Sequence, residues 1–221
     1  MSQRAAFFDV DRTLLAINSG RRYVRWQVSE GRLGLRDMAR MSYWTMQYTL
    51  GVLDAPRVSR NAARTIEGID EETYRARCAD WVRREVIDQV THEGRAEVAR
   101  RRDEGYVCAL LTTSSPYIVD PIAEELEVAH VLSSQLAVRE GRFTGHVVEP
   151  LCYGPGKVTR AEAWAAAHRV DLAASVFYTD SISDLPMLER VGEARVINPD
   201  PRLRRVASRR GWPVQTWKTT R

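Results

Sequence analysis

The sequence of 221 residues contains no long hydrophobic run. A membrane-spanning helix needs roughly 20 consecutive apolar residues, and none of the apolar stretches approaches that length, so we expect no membrane span. The N-terminal segment MSQRAAFFDV lacks the longer apolar region and the small-residue cleavage site of a secretory signal peptide. We therefore expect a cytoplasmic protein.

Cysteine and histidine are also scarce, which limits the kinds of metal site. The three cysteines are Cys78, Cys108 and Cys152, and their wide spacing argues against a zinc knuckle and against a disulfide framework. The four histidines do not have the spacing of metal ligands. Any bound metal should therefore be a hard cation that oxygen atoms hold.

Lysine is nearly absent from the chain. Only Lys157 and Lys218 among the 33 basic residues are lysine, and all the others are arginine. The net charge of +4 permits an acidic ligand without requiring nucleic acid, so we expect no nucleic-acid partner. Because the chain otherwise uses arginine, the compact ammonium group of Lys157 marks this residue as a functional candidate.

Strand and helix patterns alternate over most of the chain. The run Ala5–Phe8 is too short for a helix and predicts a buried strand, and residues 106–111 predict a second one. From residue 116 to residue 217 helices and strands alternate, apart from a hairpin predicted at 135–147. This order predicts an α/β fold with an open, mostly parallel sheet and helices on both faces.

Residues 18–90 interrupt this alternation. They show aromatic residues at helical spacing between arginine-rich faces, with glycine and proline breaks and no strand-like stretch. We predict a small helical bundle, inserted as a cap between the first two strands. Residues 1–17 and 91–221 would then form the core, and residues 18–90 the cap.

Polar residues stand at the ends of several predicted strands and at the start of one helix. Each of them alone is common as a helix cap or in a solvated turn. Ligands of open α/β sheets, however, bind beyond the carboxyl ends of the strands, where these side chains should meet. The candidates are Asp9, Asp11, Thr112, Thr113, Ser114, Ser115, Lys157, Asp180 and Asp184.

Taken together, these residues resemble the haloacid dehalogenase superfamily, and within it the phosphoserine-phosphatase-like subfamily IB with a helical C1 cap. The four motifs of that family are matched by Asp9–Thr13, Leu111–Pro116, Lys157 and Asp180–Asp184. Two positions depart from the usual pattern. Arg12 stands where glycine or serine is usual, and Thr179 stands where glycine commonly precedes the aspartate.

The resemblance implies a Rossmann-like core and a Mg²⁺-dependent phosphatase that hydrolyses a small-metabolite phosphomonoester through an aspartyl-phosphate. Asp9 would be the nucleophile, and Asp11 the acid and base. Mg²⁺ would be bound by Asp9, by Asp180 and by Asp11, the last through its backbone carbonyl. The phosphate would be held by Thr113, Ser114 and Lys157, and Asp184 would orient Lys157.

Simple electrostatics agrees with a metal at this place. Two carboxylates about 4 Å apart repel each other by about 4 kcal/mol at an effective dielectric near 20. Asp9, Asp11 and Asp180 would therefore need a cation, and Mg²⁺ suits carboxylates, phosphate and water. In a regular strand Asp11 would point to the face opposite Asp9, so it reaches the site only if the chain has already turned.

Other functions and several substrates stay open at this stage. A phosphomutase of the same superfamily is one alternative, and a catalytically inactive binding module is another. Enzymes that act on phosphoserine carry a glutamate where this chain has Asn18. That difference leaves room for histidinol phosphate, glycerol phosphate or another alcohol ester. Asn18, Ser19 and Arg22 are the candidate substrate residues, and the sequence indicates no oligomeric state.

Overall fold

A computed structural model of the chain describes residues 2–31 and 55–219. Its main sheet has six strands in the order β3-β2-β1-β6-β7-β8, and every neighbouring pair is parallel. This confirms the predicted α/β class and the parallel sheet. The strands are β1 (Ala5–Phe8), β2 (Val107–Leu111), β3 (His130–Leu132), β6 (Val176–Thr179), β7 (Glu193–Ile197) and β8 (Val214–Gln215).

Helices cover both faces of this sheet. Within β1 all four side chains are buried, because alternate residues enter two separate hydrophobic layers. One layer includes residues of α4 and α5, and the other includes residues of α6, α7 and α8. The helices are α4 (His92–Asp103), α5 (Pro116–Glu125), α6 (Pro155–His168), α7 (Leu185–Arg190) and α8 (Pro201–Arg210).

Three helices are described between β1 and β2, in the segment predicted as a cap. They are α1 (Ser19–Ser29), α2 (Ala55–Arg64) and α3 (Glu71–Glu85). Asn18 begins α1 by accepting a hydrogen bond from the Arg21 amide, and Asp70 begins α3 in the same way. The part of the predicted cap at 32–54 lies outside the described residues. The division into core and cap stays a prediction.

The predicted hairpin is present and forms a separate two-stranded sheet. Its strands are β4 (Gln135–Arg139) and β5 (Arg142–Val148). The hairpin packs on the helical segment, since Phe143 of β5 shares a hydrophobic cluster with Tyr74 and Cys78 of α3. Backbone hydrogen bonds join it to residues 68–71. The hairpin was predicted as part of the core, yet in the structure it contacts the cap segment closely.

The order of the strands marks where a ligand site should lie. From β1 the chain passes to β2 and β3 on one side, and it later returns to β6 on the other side of β1. The carboxyl ends of β1 and β6 therefore flank the point where the strand order reverses, which is the usual ligand crevice of such sheets. Among the described residues, no helix combines the length and the apolar character needed to cross a bilayer.

Candidate active site

The turn that follows β1 carries the first two candidate carboxylates. Asp9 continues from the strand in extended conformation, and Val10–Leu14 then form a five-residue turn. Inside this turn Arg12 has a φ of 59°, which is a left-handed conformation. Because the chain has left the strand direction at this point, Asp11 lies on the same edge of the sheet as Asp9. The chain thus makes the turn that Asp11 needs in order to reach the site, as predicted.

The register of the strands brings Asp180 to the same edge. Phe8 of β1 pairs with Tyr178 of β6, and the Asp9 amide donates to the Tyr178 carbonyl at 2.9 Å. Asp9 is the first residue after β1, and Asp180 is the first residue after β6. Both carboxylates are buried. Two acidic side chains therefore lie side by side at the point where the strand order reverses.

Lys157 contacts two buried carboxylates at once. It lies in the first turn of α6 and is only 1% exposed. Its Nζ donates to Asp9 Oδ1 at 2.7 Å and to Asp184 Oδ2 at 2.7 Å. Thr179 Oγ1 donates to the same oxygen of Asp184 at 2.6 Å. The threonine that replaces the usual glycine thus helps to hold Asp184 against the lysine.

Burial shifts the pKa values of these groups. It raises the pKa of Asp9 to about 7, although the neighbouring Lys157 ammonium opposes the shift. Burial and then the charge of Asp9 raise the pKa of Asp180 well above its ordinary value. Burial alone would lower the pKa of Lys157, but the carboxylates of Asp184 and Asp9 raise it above its ordinary value. The lysine therefore stays charged beside its two partners.

The site contains more acidic than basic side chains. Arg12 Nε lies 3.4 Å from Asp180 Oδ2 and is the second cation of the site after Lys157. An excess of carboxylates in a buried place favours an additional cation, because like charges repel strongly there. The acidic side chains are those of Asp9, Asp11, Asp180 and Asp184.

The described residues contain no group of three His, Cys, Asp or Glu side chains arranged to ligate a metal. In this structure the carboxylates of Asp9, Asp11 and Asp180 do not converge on one point, and their assignment to a metal stays a prediction. Mg²⁺ does not need such a cage, because it commonly binds one or two carboxylates and keeps several waters. The buried oxygens of Asp9 and Asp180, with few cations to balance them, fit Mg²⁺ in this form.

The side chain of Asp11 is directed to the start of α1 instead. Its Oδ1 accepts the Ser19 amide at 2.7 Å, and its Oδ2 lies 3.4 Å from Asn18 Nδ2 and 3.5 Å from Ser114 Oγ. Ser19 Oγ and Ser114 Oγ are 3.3 Å apart. Asn18 and Ser19 were predicted to contact the substrate. In the structure they hold the carboxylate of Asp11.

Arg22, the third predicted substrate residue, has a different partner. Its guanidinium lies 3.0 Å from Glu85 Oε2 of α3, and both side chains are partly exposed. Among the contacts of the described residues, none joins Arg22 to the carboxylates of the site. An ion pair between α1 and α3 accounts for the position of Arg22, and its role toward a substrate stays a prediction.

The two threonines that follow β2, Thr112 and Thr113, have different hydrogen-bond partners. Thr113 Oγ1 donates to the Cys152 carbonyl at 3.0 Å, so this hydroxyl is directed at the backbone before α6. Thr112 is the first residue after β2 and is only 1% exposed. Its hydroxyl accepts the Ser114 amide at 3.2 Å. Thr112 is therefore the first residue after β2, just as Asp9 and Asp180 are the first residues after β1 and β6.

That equivalence is the signal that could have identified Thr112 from the sequence. Phe8 pairs with Leu110 of β2, so the residues that follow the two strands lie close together at one edge. The first polar residue after each strand is then the natural candidate, and at β2 this is Thr112 rather than Thr113.

Comparison with known proteins agrees with this geometry. The family model of the haloacid dehalogenase-like hydrolases matches residues 6–189, which include strands β1 to β6 and all four motifs. The chain belongs to this family. The resemblance predicted from the motifs is thereby confirmed, and so is the prediction of a hydrolytic enzyme.

Proteins similar to this chain include two from Mycobacterium tuberculosis. A probable phosphatase is 33% identical over 216 residues, which are 96% of this chain and 75% of that protein. A phosphoserine phosphatase is 30% identical over 222 residues, which are 98% of this chain and 72% of that protein. A solved structure from Bordetella pertussis, described as a protein of unknown function, has a TM-score of 0.87 at 30% identity and covers 97% of this chain and 98% of its own.

Proposed function

We propose that the protein is a Mg²⁺-dependent phosphatase that hydrolyses a small phosphomonoester through an aspartyl-phosphate on Asp9. The observation that carries this proposal is the buried contact of Lys157 with Asp9 and Asp184 at the point where the strand order reverses. Asp180 and Asp11 lie beside it. Membership of a hydrolase family and the phosphatases among the relatives support the same reaction.

In the first step an Asp9 oxygen attacks phosphorus, and the bond from phosphorus to the leaving oxygen breaks. Lys157 holds Asp9 in position and balances charge on the phosphoryl oxygens. Asp11 donates its proton to the leaving alkoxide. Burial raises the pKa of Asp11, while the Ser19 amide opposes that shift. A raised pKa helps Asp11 to carry the proton that this step consumes.

In the second step water attacks the aspartyl-phosphate. Asp11, now ionised, takes a proton from that water, so the proton given to the alcohol is recovered. Inorganic phosphate leaves, and the Asp9 carboxylate is restored. The contacts of Asp11 with Asn18, Ser19 and Ser114 keep its carboxyl in one position for both transfers.

Mg²⁺ would be held by the carboxylates of Asp9 and Asp180 and by the backbone carbonyl of Asp11. When bound, the metal would reduce the repulsion between the attacking carboxylate and the phosphate dianion. Ser114 and Lys157 are the proposed phosphate ligands of this chain. For the threonine ligand, the geometry favours the hydroxyl of Thr112 over that of Thr113, which is bonded to the Cys152 carbonyl.

The proposed substrate is a small molecule rather than a phosphoprotein. The segment predicted as a cap begins with Asn18 and Ser19, which contact Asp11 directly. An inserted segment so close to the acid can cover a small ester and exclude water. The proposal does not specify the alcohol of the ester, and phosphoserine, histidinol phosphate and related esters are all candidate substrates. A cytoplasmic location is proposed with it, and the free, buried cysteines support a reducing compartment.

The test is phosphate release from a panel of phosphomonoesters without any bisphosphate activator. We expect release with Mg²⁺, loss of release with a chelator, and full recovery when Mg²⁺ is restored. Zn²⁺ should substitute poorly, because the site offers only oxygen ligands. Full activity in excess chelator would contradict the metal assignment. Release that depends on a sugar bisphosphate would instead favour the phosphomutase.

A further inference from the structure

Arg12 lies in the turn Val10–Leu14 and has a backbone conformation that arginine does not favour. Its φ of 59° is left-handed, a conformation that glycine adopts without strain and that other residues avoid. The Arg12 amide donates to the Ile17 carbonyl at 3.0 Å, and its carbonyl accepts from Asn198 Nδ2 at 3.2 Å. The turn is thus held by main-chain contacts that glycine could also make. The backbone gives no reason for an arginine here.

The side chain of Arg12 gives that reason. Its Nε lies 3.4 Å from Asp180 Oδ2, and the pair joins a 41% exposed arginine to a carboxylate that is only 8% exposed. Asp180 has no contact with Lys157 of the kind that Asp9 and Asp184 have. Among the contacts of the described residues, Arg12 is therefore the cation that balances Asp180 directly.

We infer that Arg12 is a positioning residue: its guanidinium pairs with the Asp180 carboxylate in the metal-free enzyme and thereby weakens the binding of Mg²⁺. This inference rests on the proposed function, which assigns Asp180 to the metal. Mg²⁺ must displace the guanidinium from Asp180 or bind beside a positive charge, and both lower its affinity. The partly exposed side chain can move aside into solvent when the metal binds. The enzyme would then require a higher concentration of free Mg²⁺ than a site with glycine at this position.

The test is calorimetric titration of chelator-stripped protein with MgCl₂ and no substrate, so the readout does not depend on turnover. We expect Arg12→Gln and Arg12→Gly to bind Mg²⁺ about tenfold more tightly than the wild type, and Arg12→Lys to stay within about threefold of it. Agreement between the glutamine and glycine variants would assign the effect to the charge, because only glycine also relieves the backbone. Circular dichroism checks that each variant is folded.

Arg102→Gln is the matched control. Arg102 is 43% exposed and pairs with Glu127 at 2.7 Å, near the end of α4 that leads to the amino end of β2. It thus lies toward the sheet edge opposite the site, and its loss should leave the affinity for Mg²⁺ within about twofold.

Different outcomes of the titration test the role of Arg12 and the proposed Mg²⁺ site separately. Unchanged or weaker binding by Arg12→Gln and Arg12→Gly, with normal binding by the wild type, overturns the role of Arg12 and leaves the metal site standing. Absence of binding by the wild type and by every Arg12 variant refutes the metal site, and the inference falls with it. Binding that appears only in the uncharged variants supports the inference. Asp180→Asn should abolish tight binding in all backgrounds.

Discussion

Replacing Lys157 by methionine removes the charge that two buried carboxylates share. Methionine retains an unbranched chain of similar length, and Lys157 is only 1% exposed. Its contacts with Asp9 and Asp184 are 2.7 Å each. At an effective dielectric of about 20 each contact corresponds to about 6 kcal/mol of attraction before desolvation. Desolvation offsets much of this, and breaking a buried pair usually costs about 3–5 kcal/mol. We expect Lys157→Met to lose about 4 kcal/mol of unfolding free energy at pH 8.

The loss should depend on pH in a definite direction. Burial raises the pKa of Asp9 to about 7 even with Lys157 beside it, and removal of the lysine raises this pKa further. A carboxyl whose pKa is higher in the folded state binds more protons there, so stability falls as the pH rises through that range. At pH 5.5 Asp9 is already protonated, and mainly Asp184 loses its partner. The loss at pH 5.5 should therefore be about half of that at pH 8.

Urea unfolding in the presence of a chelator measures both values without interference from bound metal. Lys218→Met is the matched control, because Lys218 is exposed and is the other lysine of the chain. It should change the unfolding free energy by less than about 0.5 kcal/mol. A loss below about 1 kcal/mol for Lys157→Met at pH 8, or an equal loss at both pH values, would refute this view of the buried charges.

Two further predictions concern the reaction. Asp11→Asn should slow phosphorylation by an alkyl phosphate by at least about 100-fold and by an aryl phosphate much less, since only the poor leaving group needs the acid. Rapid-quench kinetics checks this, and equal losses would exclude Asp11 as the acid. Thr112→Val should lower kcat/KM by about 10- to 100-fold, because it removes a hydroxyl at the phosphate. Thr113→Val should lower it by less than about threefold, and the reverse order would restore Thr113 as the ligand.

Much of the fold follows from local patterns in the sequence. The strands before Asp9 and Asp180 are short apolar runs that end at a polar residue, and their burial in the sheet was predicted on that ground. That Asp9 and Asp180 lie at one edge of the sheet follows as well, since the carboxyl ends of parallel strands share one edge. These predictions need only the order of the elements and the direction of the strands.

Other features depend on contacts between distant segments. The pair of Arg22 with Glu85 joins residues 63 positions apart, so no local pattern around Arg22 indicates it. The hairpin is bonded to residues 68–71, which no local pattern indicates. Thr112 and Thr113 are adjacent hydroxyl residues, and only the end of β2 at Leu111 makes Thr112 the first residue after the strand. Prediction from the sequence is weakest where a shift of one residue in the end of a strand changes which side chain follows it.

The most direct test of the central claim is to find where the phosphoryl group is bound during turnover. Asp11→Asn should accumulate the intermediate, because it slows the attack of water. After an acid quench with an aryl phosphate, peptide mass spectrometry should find close to one phosphoryl group per chain, on Asp9, and none when Asp9→Asn is added. A phosphoryl group on another residue, or continued turnover of Asp11→Asn without any phosphoenzyme, would contradict the proposed mechanism.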